Sequence, residues 1–207
     1  MGAQLAQSEL IGTFNVNDRF SGISLWLVPL QKERNALQKV IDSIAEERHS
    51  DAFEPHITLA SLSLGTSTEG WTDAIGAQLQ HHVPILATFD KVRTGNTFFH
   101  SVFADIQRDE KLFAFREDIV ASITRGRAPD PKLRQDWYPH VSFFYGSPPQ
   151  TEKEGIVKAL EDNWRDEEGR TVAEIKQFEA NEVWIVQTDG HVKEWKVLDK
   201  VIAPAAA

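Results

Sequence analysis

Two histidines, far apart along the chain, stand in nearly the same surroundings. The runs are Pro55-His56-Ile57-Thr58-Leu59 and Pro139-His140-Val141-Ser142-Phe143. Each reads proline, histidine, aliphatic, hydroxyl, large apolar. In an extended chain, side chains at i and i+2 share a face. His56 and Thr58 therefore point one way while Ile57 and Leu59 point the other, and His140 and Ser142 do the same against Val141 and Phe143. Each run offers an imidazole beside a hydroxyl, on a strand whose other face can be buried.

Two facing imidazoles suit the movement of one proton in and another out during a displacement. An unperturbed imidazole titrates near pH ~6.5, so at neutral pH one can act as base and its partner as acid. Each positioned acid or base is worth on the order of 10²–10⁴ in rate. The hydroxyls can donate to non-bridging phosphate oxygens where charge accumulates. Together these groups make a metal-free arrangement for opening a cyclic phosphodiester. His140 is assigned as the base that deprotonates water, and His56 as the acid that protonates the departing oxygen.

The elements that must position these groups can be read in chain order. The chain has 207 residues, a formal net charge of -9 and no cysteine. That length allows one large domain or two small lobes with a real core. The absence of cysteine removes disulfides, thiolate metal sites and cysteine nucleophiles. The acidic balance argues against gripping long nucleic acid through phosphates. No apolar run reaches membrane-spanning length, and no signal peptide is evident, so an intracellular location is expected.

Residues 1–20 lack a period and are read as an extension, disordered or vector-derived; residues 203–207 are read as a frayed tail around a domain over 21–202. Ser21 to Leu30 reads as a strand. Leu37, Val40, Ile41, Ile44 and Ala45 give one helical face, and the first histidine strand is expected over Glu54 to Leu62. A weaker helix over Thr68 to Gln80 precedes strands over Val83 to Arg93 and Thr97 to Gln107, with Gly95-Asn96 as the hairpin turn. Asp109 is positioned to cap a helix running to about Arg125. A loop rich in proline and basic residues leads to the second histidine strand, Tyr138 to Tyr145. Thr151 and Glu154 have capping-box spacing ahead of a further helix. Strands over Arg170 to Phe178, Asn181 to Gln187 and Trp195 to Ile202 finish the chain, with Asp189-Gly190 as a turn. This order predicts an α+β protein of two related lobes with antiparallel sheets, each carrying one histidine strand.

The paired runs PHITL and PHVSF, with SLWLVPL, FEPHITLASL, KVRTGNTFFHSVF and YPHVSFFYG around them, resemble the 2H phosphoesterase superfamily. Within it the chain is most similar to the cyclic phosphodiesterases of fungi and plants, over most of residues 21–200. The resemblance implies a bilobal fold whose two histidine strands face a central cleft, with helices outside. It implies hydrolysis of 2',3'-cyclic nucleotides, leaving the 2'-phosphate, and of ADP-ribose 1'',2''-cyclic phosphate. It carries His56 and His140 into catalysis and Thr58 and Ser142 onto the phosphate. Tyr145 matches an active-site tyrosine of the plant-type enzymes. Its parity with His140 is wrong for the same face, so reaching the cleft requires the strand to end or bulge first. His100 stands where related enzymes usually carry glutamine.

Trp26 and Phe99 are further candidates for substrate contact, with core packing as the plainer role. Arg134, in the basic loop with Arg125, Arg127 and Lys132, is the candidate cation for a substrate phosphate. Adjacent His81 and His82 diverge on any regular element and are expected to face solvent, as are His49 and His191 near turns. No metal or other cofactor is expected. The expected partner is a small cyclic phosphate nucleotide bound by a monomer, with no long nucleic acid and no membrane. Two other readings fit the same runs: an RNA-end phosphodiesterase, exonuclease or RNA ligase acting on oligonucleotides, and a non-catalytic module that binds nucleotides or RNA ends.

Overall fold

The structure, a computed structural model, describes residues 22–124, 137–164 and 172–203. Residues 1–20 and 204–207, and the basic loop with Arg125, Arg127, Lys132 and Arg134, lie outside the described residues. The elements are β1 (Gly22–Pro29), α1 (Gln31–Arg48), β2 (Ile57–Ser63), α2 (Trp71–His82), β3 (Ile85–Thr97) and β4 (His100–Ile106), followed by α3 (Glu110–Thr124), β5 (His140–Phe144), α4 (Gln150–Trp164), β6 (Gln177–Gln187) and β7 (Lys196–Ile202).

The strands pair in the order β2-β1-β6-β3-β4-β5, with β7 also on β6. Every one of these pairings is antiparallel. β1 is covered along both edges by β2 and β6, and all of its residues are buried. This explains its continuous apolar run, where a half-exposed strand would alternate. β3 belongs to both halves of the sheet. Its first residues, Ile85 to Thr88, pair with β6, and its later ones, from Phe89, pair with β4.

The two histidine strands, β2 and β5, are the outer ends of this order, yet they touch each other. The sheet therefore bends so that its ends meet across a cleft. Helices cross between the halves: α1 packs on β5, and α3 packs on β2. Side chains cover the outer edge of β2, where unpaired carbonyls would otherwise invite strand addition. Trp137 Nε1 donates to the Thr58 carbonyl at 2.9 Å, and Arg116 Nε to the Leu59 carbonyl at 3.2 Å. Trp137 lies just before β5, so its bond fastens one histidine strand to the other.

The spacing rules hold in both long amphipathic helices. α1 buries Leu37, Val40, Ile41, Ile44 and Ala45, and α3 buries Leu112, Phe115, Ile119 and Ile123. Asp109 Oδ1 accepts the Leu112 N–H at 2.9 Å, as its capping position predicts.

Five local expectations need correction. The β3–β4 reversal is at Phe98-Phe99, because Thr97 pairs with His100 and Gly95 remains inside the strand. The reason for glycine there is close approach: a Cβ on Gly95 would lie 2.0 Å from the His100 carbonyl oxygen. The proposed capping box at Thr151 does not form, since α4 begins at Gln150 and Gln150 Nε2 itself donates to Glu154 Oε1 at 3.0 Å. The last two proposed β segments before the Asp189-Gly190 turn are one strand from Gln177, because Ala180 pairs with β1 and β3 at once. The helix expected from Thr68 starts at Trp71, after a left-handed Gly70. His82 is not solvent-facing; its Nε2 meets Asp118 Oδ2 at 2.8 Å, joining α2 to α3.

Candidate active site

Each histidine follows a proline, and that proline sets the local geometry. The residue before proline is restricted to extended backbone. Here those residues are Glu54 and Tyr138, and the carbonyl of each turns back onto the imidazole two positions on. His56 Nδ1 lies 2.6 Å from the Glu54 oxygen, and His140 Nδ1 lies 2.8 Å from the Tyr138 oxygen. A carbonyl can only accept, so each Nδ1 carries the hydrogen and each Nε2 is left as the lone-pair nitrogen. The two halves thus present the same tautomer by the same local device. His56 itself precedes β2, which begins at Ile57.

Trp26 lies under His56. The two rings are stacked with centroids 3.8 Å apart and planes 9° apart. Trp26 is only 4 % exposed, so this face of the indole supports the imidazole, and a nucleobase stacked there would have to displace it.

A cavity of about 40 Å³ opens beside this pair, lined by Ser24, Trp26, His56, Thr58, Phe99, Tyr145, Thr188 and Trp195. Tyr145 reaches it because β5 stops at Phe144 and because a register shift lies opposite Val102 and Phe103. Those are the two conditions under which its parity could be overcome. Its ring stacks on Phe53 at 3.8 Å, and its hydroxyl bonds with that of Ser142. Burial pushes the Tyr145 phenol above its usual range. Ser142 Oγ donates to the Phe99 carbonyl at 3.1 Å. The aromatic turn of the β3–β4 hairpin is thereby tied to the second histidine strand.

Behind His140 is a polar cluster that sequence reading did not assemble. The His100 ring lies 4.4 Å from that of His140, and Asp105 pairs with His140 across β4 and β5. Arg93 Nε donates to Asp105 Oδ1 at 2.9 Å, and the Arg93 guanidinium also bonds to the Tyr138 hydroxyl. Of this cluster only His100 had drawn attention from the sequence, because the rest depends on strand register.

Both imidazoles are held in the neutral form. Burial drives His56 down to about 3, opposed by the Glu54 carbonyl and assisted by charge on His140. Burial and charge on His100 bring His140 to about 4, opposed by the Tyr138 carbonyl and Asp105. His140 is therefore near enough to bear on the proton affinity of His56. An unfolded imidazole titrates near ~6.5. Between that pH and the folded values the unfolded chain binds more protons, so these groups destabilise the fold as pH falls through that window.

A larger open groove of about 460 Å³, lined by residues including Arg93, Thr94, Gln150 and Lys158, contains neither histidine. Its chemistry is that of a solvated surface.

The family profile described as "Cyclic phosphodiesterase-like protein" matches residues 21–203. The chain belongs to the cyclic phosphodiesterase-like family. This cyclic phosphodiesterase-like protein is a phosphodiesterase hydrolase with the 2H phosphoesterase fold. It is 25% identical over 218 residues to the 2',3'-cyclic-nucleotide 3'-phosphodiesterase of Neurospora crassa, covering 86% of this chain and 98% of the relative. Among solved structures it is similar to TT0787 of Thermus thermophilus, with TM-score 0.60 and 15% identity over 87% of this chain and 97% of that one. It is also similar to E. coli LigT complexed with 3'-AMP, with TM-score 0.52 and 9% identity over 90% of this chain and 98% of that one. At those identities the two structures speak for the fold.

Trp195 lines the cavity beside His56 and was not singled out from the sequence. In sequence it opens an expected strand, and nothing local marks it as facing a cleft formed by β1, β2 and the β3–β4 turn. Ser24 and Thr188 were missed for the same reason. No helix among the described residues is long and apolar enough to cross a membrane.

Proposed function

We propose that the protein hydrolyses 2',3'-cyclic nucleotides to 2'-phosphates by two-histidine acid–base catalysis, and takes ADP-ribose 1'',2''-cyclic phosphate by the same chemistry. The observation that carries this reading is the matched pair of imidazoles. Each has Nδ1 tied to the carbonyl two residues before it, and β5 lies against β2, the strand that His56 leads into. His140 Nε2 takes a proton from water as its oxygen attacks phosphorus in line. Asp105 favours the imidazolium that forms there. His56 supplies the proton to the departing ribose 3'-oxygen as the P–O bond breaks. Thr58 donates to a non-bridging oxygen, and Ser142 does so once its hydroxyl swings from the Phe99 carbonyl. Tyr145, beside Ser142, steers that hydroxyl. Phe99 and Trp26 wall the site. The activity named for the Neurospora crassa relative and the 3'-AMP complex of LigT support a mononucleotide-sized substrate.

The test is product analysis with 2',3'-cyclic AMP and ADP-ribose 1'',2''-cyclic phosphate. Release of 2'-AMP is expected. Exclusive 3'-AMP, no product from either compound, or strong preference for a short RNA end would overturn the reading.

The mechanism also requires a proton on His56 that the ligand-free site does not hold at pH 7. A bound anion supplies the negative charge that raises an imidazole's affinity for protons. Sulfate does not titrate near neutrality, so it isolates this effect. Calorimetry in buffers of different ionisation heat should show net proton uptake on sulfate binding, growing as pH is lowered below 7. Binding without uptake would contradict the assigned acid.

A further inference from the structure

Trp195 carries a donor that the fold leaves unsatisfied. Its Nε1 is buried and has no hydrogen-bond partner among the described residues. Native structures pair nearly all such groups, because an orphaned buried donor is destabilising. Trp195 nevertheless holds a defined place. It follows a short helical turn over Val192–Glu194, with its backbone N–H on the Val192 carbonyl at 3.2 Å. Its ring centroid sits 5.8 Å from those of Trp26 and Phe99 and 6.1 Å from that of Tyr145.

The same indole lines the cavity that holds His56 and Thr58. The nearby hydroxyls are engaged elsewhere: Ser24 Oγ lies 3.3 Å from both Ser61 Oγ and Thr188 Oγ1, and Thr188 Oγ1 donates to the Gly22 carbonyl at 3.4 Å. At about 40 Å³ the cavity admits an oxygen-sized group and not a nucleobase. Of the groups assigned above to the phosphoryl group, His56 and Thr58 are in its wall.

We propose that the Trp195 indole N–H is a further substrate-binding donor, taking a non-bridging oxygen of the phosphoryl group held between His56 and His140. The inference rests on the functional reading given above. It adds a neutral donor to the hydroxyls of Thr58 and Ser142, so that anionic oxygens are gripped without a buried cation. A lysine or arginine there would depress the neighbouring imidazoles further.

The test is Trp195→Phe, which keeps an aromatic ring and removes the N–H. A hydrogen bond to a charged group predicts roughly a tenfold or greater loss of affinity for sulfate and inorganic phosphate. KM for 2',3'-cyclic AMP should rise by a similar factor with kcat changed little, because the contact is present in ground and transition states alike. The melting temperature of the ligand-free variant should be equal to or above that of the wild type, since an unsatisfied donor has been removed. Unchanged anion affinity would overturn the inference, whether or not the melting temperature falls. In the ¹⁵N-labelled wild-type protein, the Trp195 indole N–H resonance should move downfield as sulfate is added; a stationary resonance overturns the inference without use of any variant. A wild-type protein that binds sulfate through Trp195 but leaves cyclic AMP intact would retain this donor and defeat the hydrolytic reading alone.

Discussion

Replacing either His56 or His140 by alanine is expected to lower kcat/KM for 2',3'-cyclic AMP by roughly 10²–10⁴-fold, the usual worth of a positioned acid or base. The double variant should fall by much less than the product of the two losses, because both imidazoles serve one displacement. Circular dichroism should stay native in each case. A single variant retaining more than about a tenth of the wild-type rate would defeat the paired mechanism. A second readout separates catalysis from packing. Folded His56 resists protonation down to about 3. The wild-type fold therefore loses stability as pH falls from ~6.5. His56→Ala removes that group, so denaturant midpoints should decline less steeply with acidification than those of the wild type.

Gly95→Ala is expected to be a severely damaging single-methyl substitution in the site's support. The added Cβ would lie 2.0 Å from the His100 carbonyl oxygen and 3.0 Å from the Phe103 ring. The obstacle is backbone of the paired strand, which cannot move without opening the β3–β4 ladder. A cost of about 3 kcal/mol is expected, at the upper end for overpacking. In a chain of this size that corresponds to a fall of roughly 6–12 °C in melting temperature. Activity should suffer as well, because the distorted turn carries the Phe99 carbonyl that receives Ser142. Lys153 Nζ also donates to the Gly95 carbonyl at 2.8 Å, so α4 holds the end of β3 ahead of this turn. A native melting temperature would show that the two strands can separate locally at little cost.

The likeness of the two histidine runs was legible because it rests on a local pattern of residue types, although His56 stands one residue ahead of β2 whereas His140 opens β5. The core face of α1 was legible for the same reason: Leu37 to Ala45 follow the helical period, and no distant contact changes it. The prolines at 55 and 139 were visible as part of the repeated pattern, yet their role emerged only with coordinates. They fix the preceding carbonyls that select each histidine's tautomer. The hairpin turn was misplaced because Gly95-Asn96 is a strong local turn signal, whereas the real demand on Gly95 comes from a neighbouring strand. Trp195, Asp105 and Thr188 could not be placed in advance. Their positions depend on pairings between β6 and β7, between β4 and β5, and between the chain after β6 and the start of β1. Each of these joins residues distant in sequence.

One continuous strand, β3, is bonded to β6 at its start and to β4 for the rest of its length. Mechanically it is a splint across what would otherwise be a hinge. Large opening of the two halves would require its hydrogen bonds on one side to break, so the reacting groups meet an incoming nucleotide already assembled. Capture should then be governed by encounter and loss of hydration at the mouth, with single-phase binding kinetics and no slow closure step following association.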